Sequence, residues 1–178
     1  MKTFQIFFEA TTPTFYDFGG GEYPCDEENL SITVVDQIPQ KTFRASGFKQ
    51  PYIQANLNNF VQLTPVREAS SGQTAKYIKN LPNFAKTING ALAPGGKITF
   101  YEGYANGWKS TYDLCKLLAQ QYNFKVVQDE NSFSSPEVEA YLKSIGVSDP
   151  KLITSVQAKK FDNSEWADHG SIQISLKK

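Results

Sequence analysis

The sequence has little of the residues that build metal sites and disulfide frameworks. Its 178 residues include two cysteines and one histidine, His169. Two cysteines do not form the disulfide framework of a small secreted domain, and one histidine excludes a histidine-rich centre, so we predict no metal site. Cys115 lies in an apolar run and is interpreted as a small core residue. Cys25 stands beside Asp26 and Glu27, whose charges raise a thiol pKa and argue against a reactive thiolate.

The chain also lacks long hydrophobic runs and an excess of charge of either sign. No apolar stretch reaches the roughly 18 residues that span a membrane, and Lys2–Phe8 is too short for a secretory signal. The 18 basic and 18 acidic side chains balance, which leaves no electrostatic footprint for nonspecific nucleic-acid binding. We therefore expect no membrane partner and a cytoplasmic location.

What is present is the composition of one ordinary globular domain. Hydrophobic residues make up 40% of the chain and aromatic residues 13%, too much for a disordered polypeptide. A chain of this length builds one sizeable core, so we predict a single domain over 1–178. A compact domain of this kind also fits a piece of a longer protein.

Short β-rich runs alternate with helical patterns, which is typical of an α/β domain with a mostly parallel, twisted sheet in a three-layer sandwich. Strands are predicted at Lys2–Phe8, Thr14–Phe18, Ser31–Asp36, Tyr52–Leu57, Lys97–Tyr101, Phe124–Val127 and Ser171–Leu176. Helices are predicted around Phe84–Leu92, over Thr111–Gln121 with Ser110 or Thr111 as its cap, and from Ser135 to Gly146. The polar stretch Asn58–Gly72 is predicted to be a loop.

The strand that ends in Asp17-Phe18-Gly19-Gly20-Gly21 carries a candidate cofactor loop. A ligand that lies across the carboxyl end of a parallel sheet needs backbone that approaches it without Cβ atoms. Three successive glycines are also typical of a plain flexible turn.

Asp36 ends the next strand, 19 positions after Asp17. Nucleotide-binding α/β sites commonly place an acid roughly 20 residues after the glycine loop, where its carboxylate accepts both ribose hydroxyls. A strand-ending turn residue is the alternative interpretation of Asp36.

Together with the segment Ala91–Glu102, these motifs resemble the class I S-adenosylmethionine-dependent methyltransferases. In that family a glycine-rich turn follows strand 1 and an acid ends strand 2. A helix, a Pro-Gly-Gly turn and a strand ending in an acid form the fifth unit, and the same order holds here from about Thr14. The resemblance implies S-adenosylmethionine as the cofactor and an antiparallel last strand at Ser171–Lys178. It implies cofactor contacts at Asp17, Gly19, Gly20, Gly21, Asp36, Gln37 and Asn56, the last near the adenine.

Two segments depart from the family pattern. Glu22–Leu30 is too short for the helix that usually follows the glycines, and Pro24 stands in its middle. Between Asn58 and Leu81 we predict no hydrophobic fourth strand, Ala75–Ile78 being the β-prone candidate. This gap favours an alternative function, a non-catalytic interaction, immunity or effector-type protein built on a degenerate methyltransferase scaffold and binding a protein partner.

The direction of the strands places the catalytic candidates. A parallel strand ends, and an antiparallel strand begins, at the same edge of a sheet. Glu102 and Tyr104 follow the fifth-unit strand and His169 precedes the last strand, so all three are predicted to line the approach of the methyl acceptor, with His169 as a general base. The plainer alternatives are a turn acid and an exposed loop histidine.

Three functions are thus open. The first is methyl transfer from S-adenosylmethionine to an unidentified acceptor, and the second is the interaction protein. The third is a toxin-like nucleotide-using transferase, because Glu137 and Glu139 resemble the paired acids of ADP-ribosyltransferases, although acids at a helix start also favour the helix dipole. A dinucleotide fits less well, because Pro24 stands where Rossmann dehydrogenases have their third glycine.

Overall fold

The computed structural model describes residues 12–26, 28–43, 48–103, 105–128, 135–147 and 172–178. The strands are β1 (Phe15–Phe18), β2 (Ile32–Asp36), β3 (Tyr52–Gln54), β4 (Val66–Gly72), β5 (Leu92–Glu102), β6 (Lys125–Val126) and β7 (Ile172–Lys177). The α-helices are α1 (Leu81–Ala91), α2 (Ala105–Tyr122) and α3 (Pro136–Ser144), and short 3₁₀ turns occupy Gln40–Thr42 and Ala75–Tyr77. The predicted strand Lys2–Phe8 lies outside the described residues.

The seven strands of the described residues form one sheet in the order β3-β2-β1-β4-β5-β7-β6. The neighbours from β3 to β5 are parallel, whereas β7 runs antiparallel to both β5 and β6. This confirms the predicted mostly parallel sheet and its antiparallel C-terminal strand. The carboxyl ends of β1 to β5 and the amino end of β7 therefore meet along one edge, called the carboxyl edge below.

The prediction of a loop over Asn58–Gly72, and of a missing fourth strand, is wrong. Val66–Gly72 is β4, paired with β1 on one side and β5 on the other, whereas Ala75–Tyr77 is a 3₁₀ turn. The strand contains Arg, Glu and two Ser residues, so its local sequence has little β propensity. It is a strand because its two neighbours complete its backbone hydrogen bonds and bury Ser70 and Ser71.

The helices begin and end where their caps and apolar faces dictate. Asn80 caps α1, its side chain accepting from the Asn83 N–H, and Ser135 caps α3 in the same way. The predicted cap of α2 is wrong, since that helix begins at Ala105 and contains Ser110 and Thr111. Its buried face includes Trp108, which lies before the predicted helix start at Thr111. No helix in the described part of the chain has the length and hydrophobicity needed to cross a membrane.

A second difference concerns the turn that is expected after α1. The segment Pro94-Gly95-Gly96 does not separate helix from strand, because β5 starts at Leu92 directly after α1. The register between β4 and β5 shifts from Val66 opposite Leu92 to Glu68 opposite Lys97, so these residues form an irregularity inside the strand.

The two faces of the sheet differ in chemistry. One face carries the apolar side chains of the core, where the Phe18 ring contacts Phe84 of α1 edge-on. The other face carries a row of polar residues in cross-strand register. This polar row consists of Asp17, Ser70, Thr99 and Ser175. They form two hydrogen-bonded pairs: the Ser70 hydroxyl donates to Asp17 at 2.7 Å, and Thr99 Oγ1 lies 3.0 Å from Ser175 Oγ.

Candidate functional site

The glycine turn after β1 has a specific shape. Gly19 has φ +75°, and a Cβ there would lie 2.0 Å from Thr74 Oγ1. A Cβ on Gly20 would lie 2.4 Å from Asp17 Oδ2. Gly21 has φ +56°, but a Cβ there would meet only Asp36 Oδ2, at 3.8 Å. The first two glycines are therefore required by close packing, and the third leaves open space next to a carboxylate.

Asp36 closes this turn from the neighbouring strand. The Gly21 N–H donates to its Oδ2 and the Ile38 N–H to its Oδ1, each at 3.0 Å. Its backbone carbonyl accepts from the Ala55 N–H at 2.8 Å. These contacts are those of a turn residue, and Asp36 also lines the cleft described below. A carboxylate has about four acceptor positions, so two backbone bonds leave acceptor capacity for ligand hydroxyls.

Asp17 lies buried beneath the turn and is held by neutral donors. The Ser70 hydroxyl donates to its Oδ1 at 2.7 Å, and the Cys25 N–H donates to its Oδ2 at 2.8 Å. Burial raises the pKa of Asp17 above its ordinary 3.8, the two hydrogen bonds act in the opposite direction, and the charge of Asp36 raises it further. Among the described side chains no ion pair involves Asp17.

The cysteines are placed as predicted. Burial raises the pKa of the Cys25 thiol, and the charges of Asp17 and Asp26 add to that rise, so the reactive thiolate is disfavoured. Cys115 is completely buried in the core, where burial raises the pKa of its thiol. Over the described ranges, no three His, Cys, Asp or Glu side chains are grouped as a metal ion requires.

A cleft of about 1220 Å³ opens along the carboxyl edge and over the polar row. On the β2 side it is lined by Gly19, Gly20 and Asp36, with Ile38 and Leu57 as apolar walls. On the β4 and β5 side it is lined by Gln73, Thr74, Tyr77 and Tyr101, and Tyr23 from the loop after the glycine turn lines the cleft as well. We call the first part the β2 side and the second the β5 side of the cleft.

The strand order, the glycine turn and this cleft invite comparison with known proteins. No family model matches the sequence, and no curated protein matches it. Solved structures do match over almost the whole chain. A TehB-like SAM-dependent methyltransferase from Corynebacterium glutamicum is 15% identical, with a TM-score of 0.58, covering 94% of this chain and 81% of that one. The S-adenosylmethionine-dependent methyltransferase from Mesorhizobium loti is 11% identical, with a TM-score of 0.52, covering 93% of this chain and 90% of the other.

The chain has the class I methyltransferase fold. Coclaurine N-methyltransferase, solved with N-methylheliamine and SAH, matches similarly, at 11% identity and a TM-score of 0.52, covering 94% of this chain and 68% of that one. Identities this low show the fold alone. The resemblance expected from the glycine turn, the acid after β2 and the fifth unit is thereby confirmed at the level of the fold.

Within this methyltransferase fold, the predicted cofactor residues mostly converge. Asp17, Gly19, Gly20, Asp36 and Gln37 line the cleft, and Gly21 is joined to it through its bond to Asp36.

Asn56 lies apart from this group. It lines a shallow groove beside the cleft, together with Gln54 and Pro39. Its side-chain oxygen accepts from the N–H of Asn58 at 3.0 Å. The adenine contact of Asn56 therefore stays a prediction.

The catalytic candidates are placed differently. Glu102 is completely buried, its carboxylate lies 3.5 Å from the Lys76 ammonium, and it does not line the cleft. A Cβ on Gly107 of α2 would lie 2.2 Å from Glu102 Oε2, so the acid is enclosed by the start of that helix. This position favours a structural role, and the catalytic role of Glu102 stays a prediction. Tyr104 and His169 lie outside the described residues.

Several residues that line the cleft are not predicted from the sequence. Ser70 lies in β4 and Thr74 just after it, and the sequence predicts a loop for the segment that forms β4. The Thr74 hydroxyl lies 2.9 Å from the Phe18 carbonyl and 2.8 Å from that of Gly72, both within donating distance, so it ties β4 to the glycine turn. Tyr23, Tyr77 and Tyr101 come from three distant segments, and no spacing in the sequence links them.

Proposed function

We propose that this protein binds S-adenosylmethionine on the β2 side of the cleft and transfers its methyl group to an acceptor on the β5 side. The observation that carries the proposal is the pairing of Gly21 with Asp36. The glycine leaves open space beside a buried carboxylate at the carboxyl edge of a methyltransferase fold.

The residues present fit this cofactor. Asp36 would accept hydrogen bonds from the ribose hydroxyls, because its two backbone donors leave acceptor capacity. Ile38 and Leu57 offer apolar contact to the flat adenine. The glycine turn brings bare backbone to the same place, where the amino-acid part of the cofactor would lie.

When bound, the cofactor supplies a methyl group already activated by its sulfonium. The protein therefore has to position the acceptor and exclude water from it rather than activate the methyl group. The carboxylates of Asp17 and Asp36 provide negative charge that favours a cationic cofactor. Ser70 fixes the orientation of Asp17 through its 2.7 Å hydrogen bond. We assign His169 the role of general base for acceptors that must lose a proton.

The alternative of a degenerate interaction scaffold rested on a missing fourth strand, and β4 supplies that strand. The nucleotide-using transferase rested on Glu137 and Glu139. These residues lie in the first turn of α3, where the Ser135 hydroxyl lowers the pKa of Glu137. That arrangement is expected of acids at a helix N-terminus.

Calorimetry with S-adenosylmethionine, S-adenosylhomocysteine and NAD tests the proposal. We expect the first two to bind and NAD not to bind. Binding of none of the three by the folded protein would favour the interaction protein, and binding of NAD alone would favour the nucleotide-using transferase. Asp36→Ala should weaken binding of the first two ligands, and Asp113→Asn, an exposed change on α2, controls for a nonspecific loss of binding.

A further inference from the structure

Exposed tyrosines are concentrated around the cleft. Tyr23, Tyr77 and Tyr101 are 65%, 66% and 42% exposed, and all three line it. Large aromatic rings stabilise a protein when they are buried, so three rings left open at one cavity indicate contact with a ligand.

Tyr101 lies on the same face of the sheet as the buried acid Asp17. It lies in β5 opposite Gly72 of β4, and Ser70 shares that face. A Cβ on Gly72 would meet nothing within 4 Å, so there is free space beside the ring. Burial raises the pKa of the Tyr101 hydroxyl, and Asp17 adds to that rise, so the ring carries a neutral phenol.

Tyr77 is held by its neighbours. The Lys76 ammonium lies 5.2 Å from the centre of the Tyr77 ring and 3.5 Å from the buried carboxylate of Glu102. This chain of contacts ties the 3₁₀ turn Ala75–Tyr77 to the end of β5. It places Tyr77 at the cleft while most of its surface stays accessible.

The charge of the cleft determines which charge of ligand can bind beside these tyrosine rings. Asp17 and Asp36 both line it, and the hydrogen bonds to their carboxylates come from Ser70 and from backbone N–H groups, which carry no charge. Glu68 and Lys97, the other charged lining residues, stand opposite each other in register and balance. Two carboxylates therefore face the cavity uncompensated by any described cation.

S-adenosylmethionine carries one net positive charge, from its sulfonium, ammonium and carboxylate. It therefore compensates one of the two carboxylates and leaves the other. An anionic acceptor is repelled by the remaining charge, a neutral one gains nothing from it, and a cationic one is attracted.

We propose that the acceptor is a small amine with an apolar or flat body, bound against Tyr77 and Tyr101 on the β5 side of the cleft, which Tyr23 also lines. Its ammonium form gains cation–π contact with the Tyr101 ring and attraction to Asp17. The inference rests on the proposed function for the reaction itself. There the ammonium first loses a proton to the general base assigned under the proposed function, the lone pair of the resulting amine nitrogen forms the new N–C bond, and the electron pair of the broken S–C bond stays on sulfur.

Calorimetry on the protein saturated with S-adenosylhomocysteine tests the choice of acceptor. The probes are phenethylamine, 2-phenylethanol and phenylacetate, which share a ring and differ in charge. We expect the amine to bind about 10-fold more tightly than the alcohol, or more, and phenylacetate not to bind, as cation–π and charge effects of this size require. Equal affinity for amine and alcohol, or binding of phenylacetate, overturns the inference.

Variants locate the amine. Tyr101→Leu should weaken phenethylamine about 5-fold or more, whereas Tyr101→Phe keeps the ring and the affinity. Phe60→Leu is the matched control, because Phe60 is 44% exposed, has the Lys86 ammonium 4.6 Å from its ring centre and does not line the cleft. A loss in Phe60→Leu equal to that in Tyr101→Leu also overturns the inference.

These measurements distinguish an error in the acceptor assignment from an error in the cofactor proposal. If S-adenosylhomocysteine binds while the amine shows no preference, the acceptor assignment is wrong and the cofactor proposal stands. If S-adenosylhomocysteine does not bind, the proposed function is wrong, and the same three probes on the free protein still decide whether the tyrosine cluster selects amines.

Discussion

The Ser70 hydroxyl and the Asp17 carboxylate, 53 positions apart in the sequence, are joined by a 2.7 Å hydrogen bond between β4 and β1. The bond holds a buried acid in one orientation without neutralising its charge. It links the central strand, which has no strand-like sequence, to the acid that opens the glycine turn. The pH dependence that Asp17 gives to the stability of the protein therefore reports on its burial and its hydrogen bonds.

The first prediction concerns pH. Burial holds the pKa of Asp17 above its ordinary 3.8, so the native state binds this proton more tightly than the unfolded chain. The resulting stabilisation is complete below about pH 3.8 and is lost as the pH rises through the native pKa. Asp17→Asn removes this dependence, because its amide can serve both the Cys25 N–H and the Ser70 hydroxyl. Its free energy of unfolding relative to the wild type should therefore rise from acid to neutral pH, as urea titrations at several pH values would show. A difference that is constant with pH contradicts this.

The second prediction concerns the ribose acid. Asp36→Ala should weaken S-adenosylmethionine binding by about 1.5 to 3 kcal/mol, the range for hydrogen bonds to a charged group. Asp36→Asn keeps one side-chain acceptor for the backbone of the turn, so it guards against a simple loss of fold. Calorimetry measures both, with Asp113→Ala on the exposed face of α2 as the control. An unchanged dissociation constant in a folded Asp36→Ala protein removes this residue from the site.

The third prediction separates two glycines. Gly19→Ala forces a side chain into φ +75° and against Thr74, and should cost about 2 kcal/mol or more. Gly90→Ala lies on the exposed surface near the end of α1, where the new methyl meets Phe60 at an ordinary 3.9 Å. It should stabilise the protein by about 0.5 kcal/mol, through helix propensity. Chemical denaturation of the two variants should give shifts of opposite sign.

The fourth prediction concerns the buried ion pair. Glu102→Gln leaves the nearly buried Lys76 ammonium without its carboxylate and should cost about 3 to 5 kcal/mol. Adding Lys76→Met should recover part of that loss. The matched control is Asp113→Asn, which breaks the exposed Lys109–Asp113 pair and should cost less than about 1 kcal/mol. Equal losses in the two single variants, measured by urea unfolding, would argue against a structural role for Glu102.

The fifth prediction concerns His169, the proposed general base. His169→Ala should lower turnover by about 10²- to 10⁴-fold, the usual contribution of a general base, and leave S-adenosylmethionine affinity nearly intact. The wild type should lose activity in the same way as the pH falls and the imidazole is protonated. Steady-state rates together with calorimetric affinities separate the two effects. Full turnover in His169→Ala and in a folded Glu102→Gln protein shows that this edge carries no acid–base group.

The parts of the fold that the sequence predicts are those with local signals. The helix α3 has its cap at Ser135 and its end near Gly146, which has φ +85°, and both residues lie next to the helix they delimit. The strand β4 has no such signal, because its serines and its glutamate are polar. Only its position between β1 and β5 makes it a strand, and that position is a property of the whole sheet.

The candidate site shows the same division between residues with a local sequence signal and residues placed by the whole sheet. Asp17 and Asp36 were predictable because Asp36 ends an apolar run and Asp17 stands one residue before the end of another. Glu102 was expected at the carboxyl edge, and it does end β5 there. However, side chains alternate along a strand, so Glu102 shares the core face with Phe100, while Tyr101 faces the cleft. The sequence alone does not reveal which of the two neighbours points outward.

The position of β7 has a consequence for synthesis. It pairs with both β5 and β6, although it follows both in the chain. Until Ile172–Lys177 has left the ribosome, β5 presents its strand Lys97–Glu102 as an unpaired edge, and such edges recruit other chains. The side chain of Lys178 also reaches the carbonyls of Asn89 and Leu92 at the end of α1. A chain cut before Ile172 should therefore aggregate rather than fold.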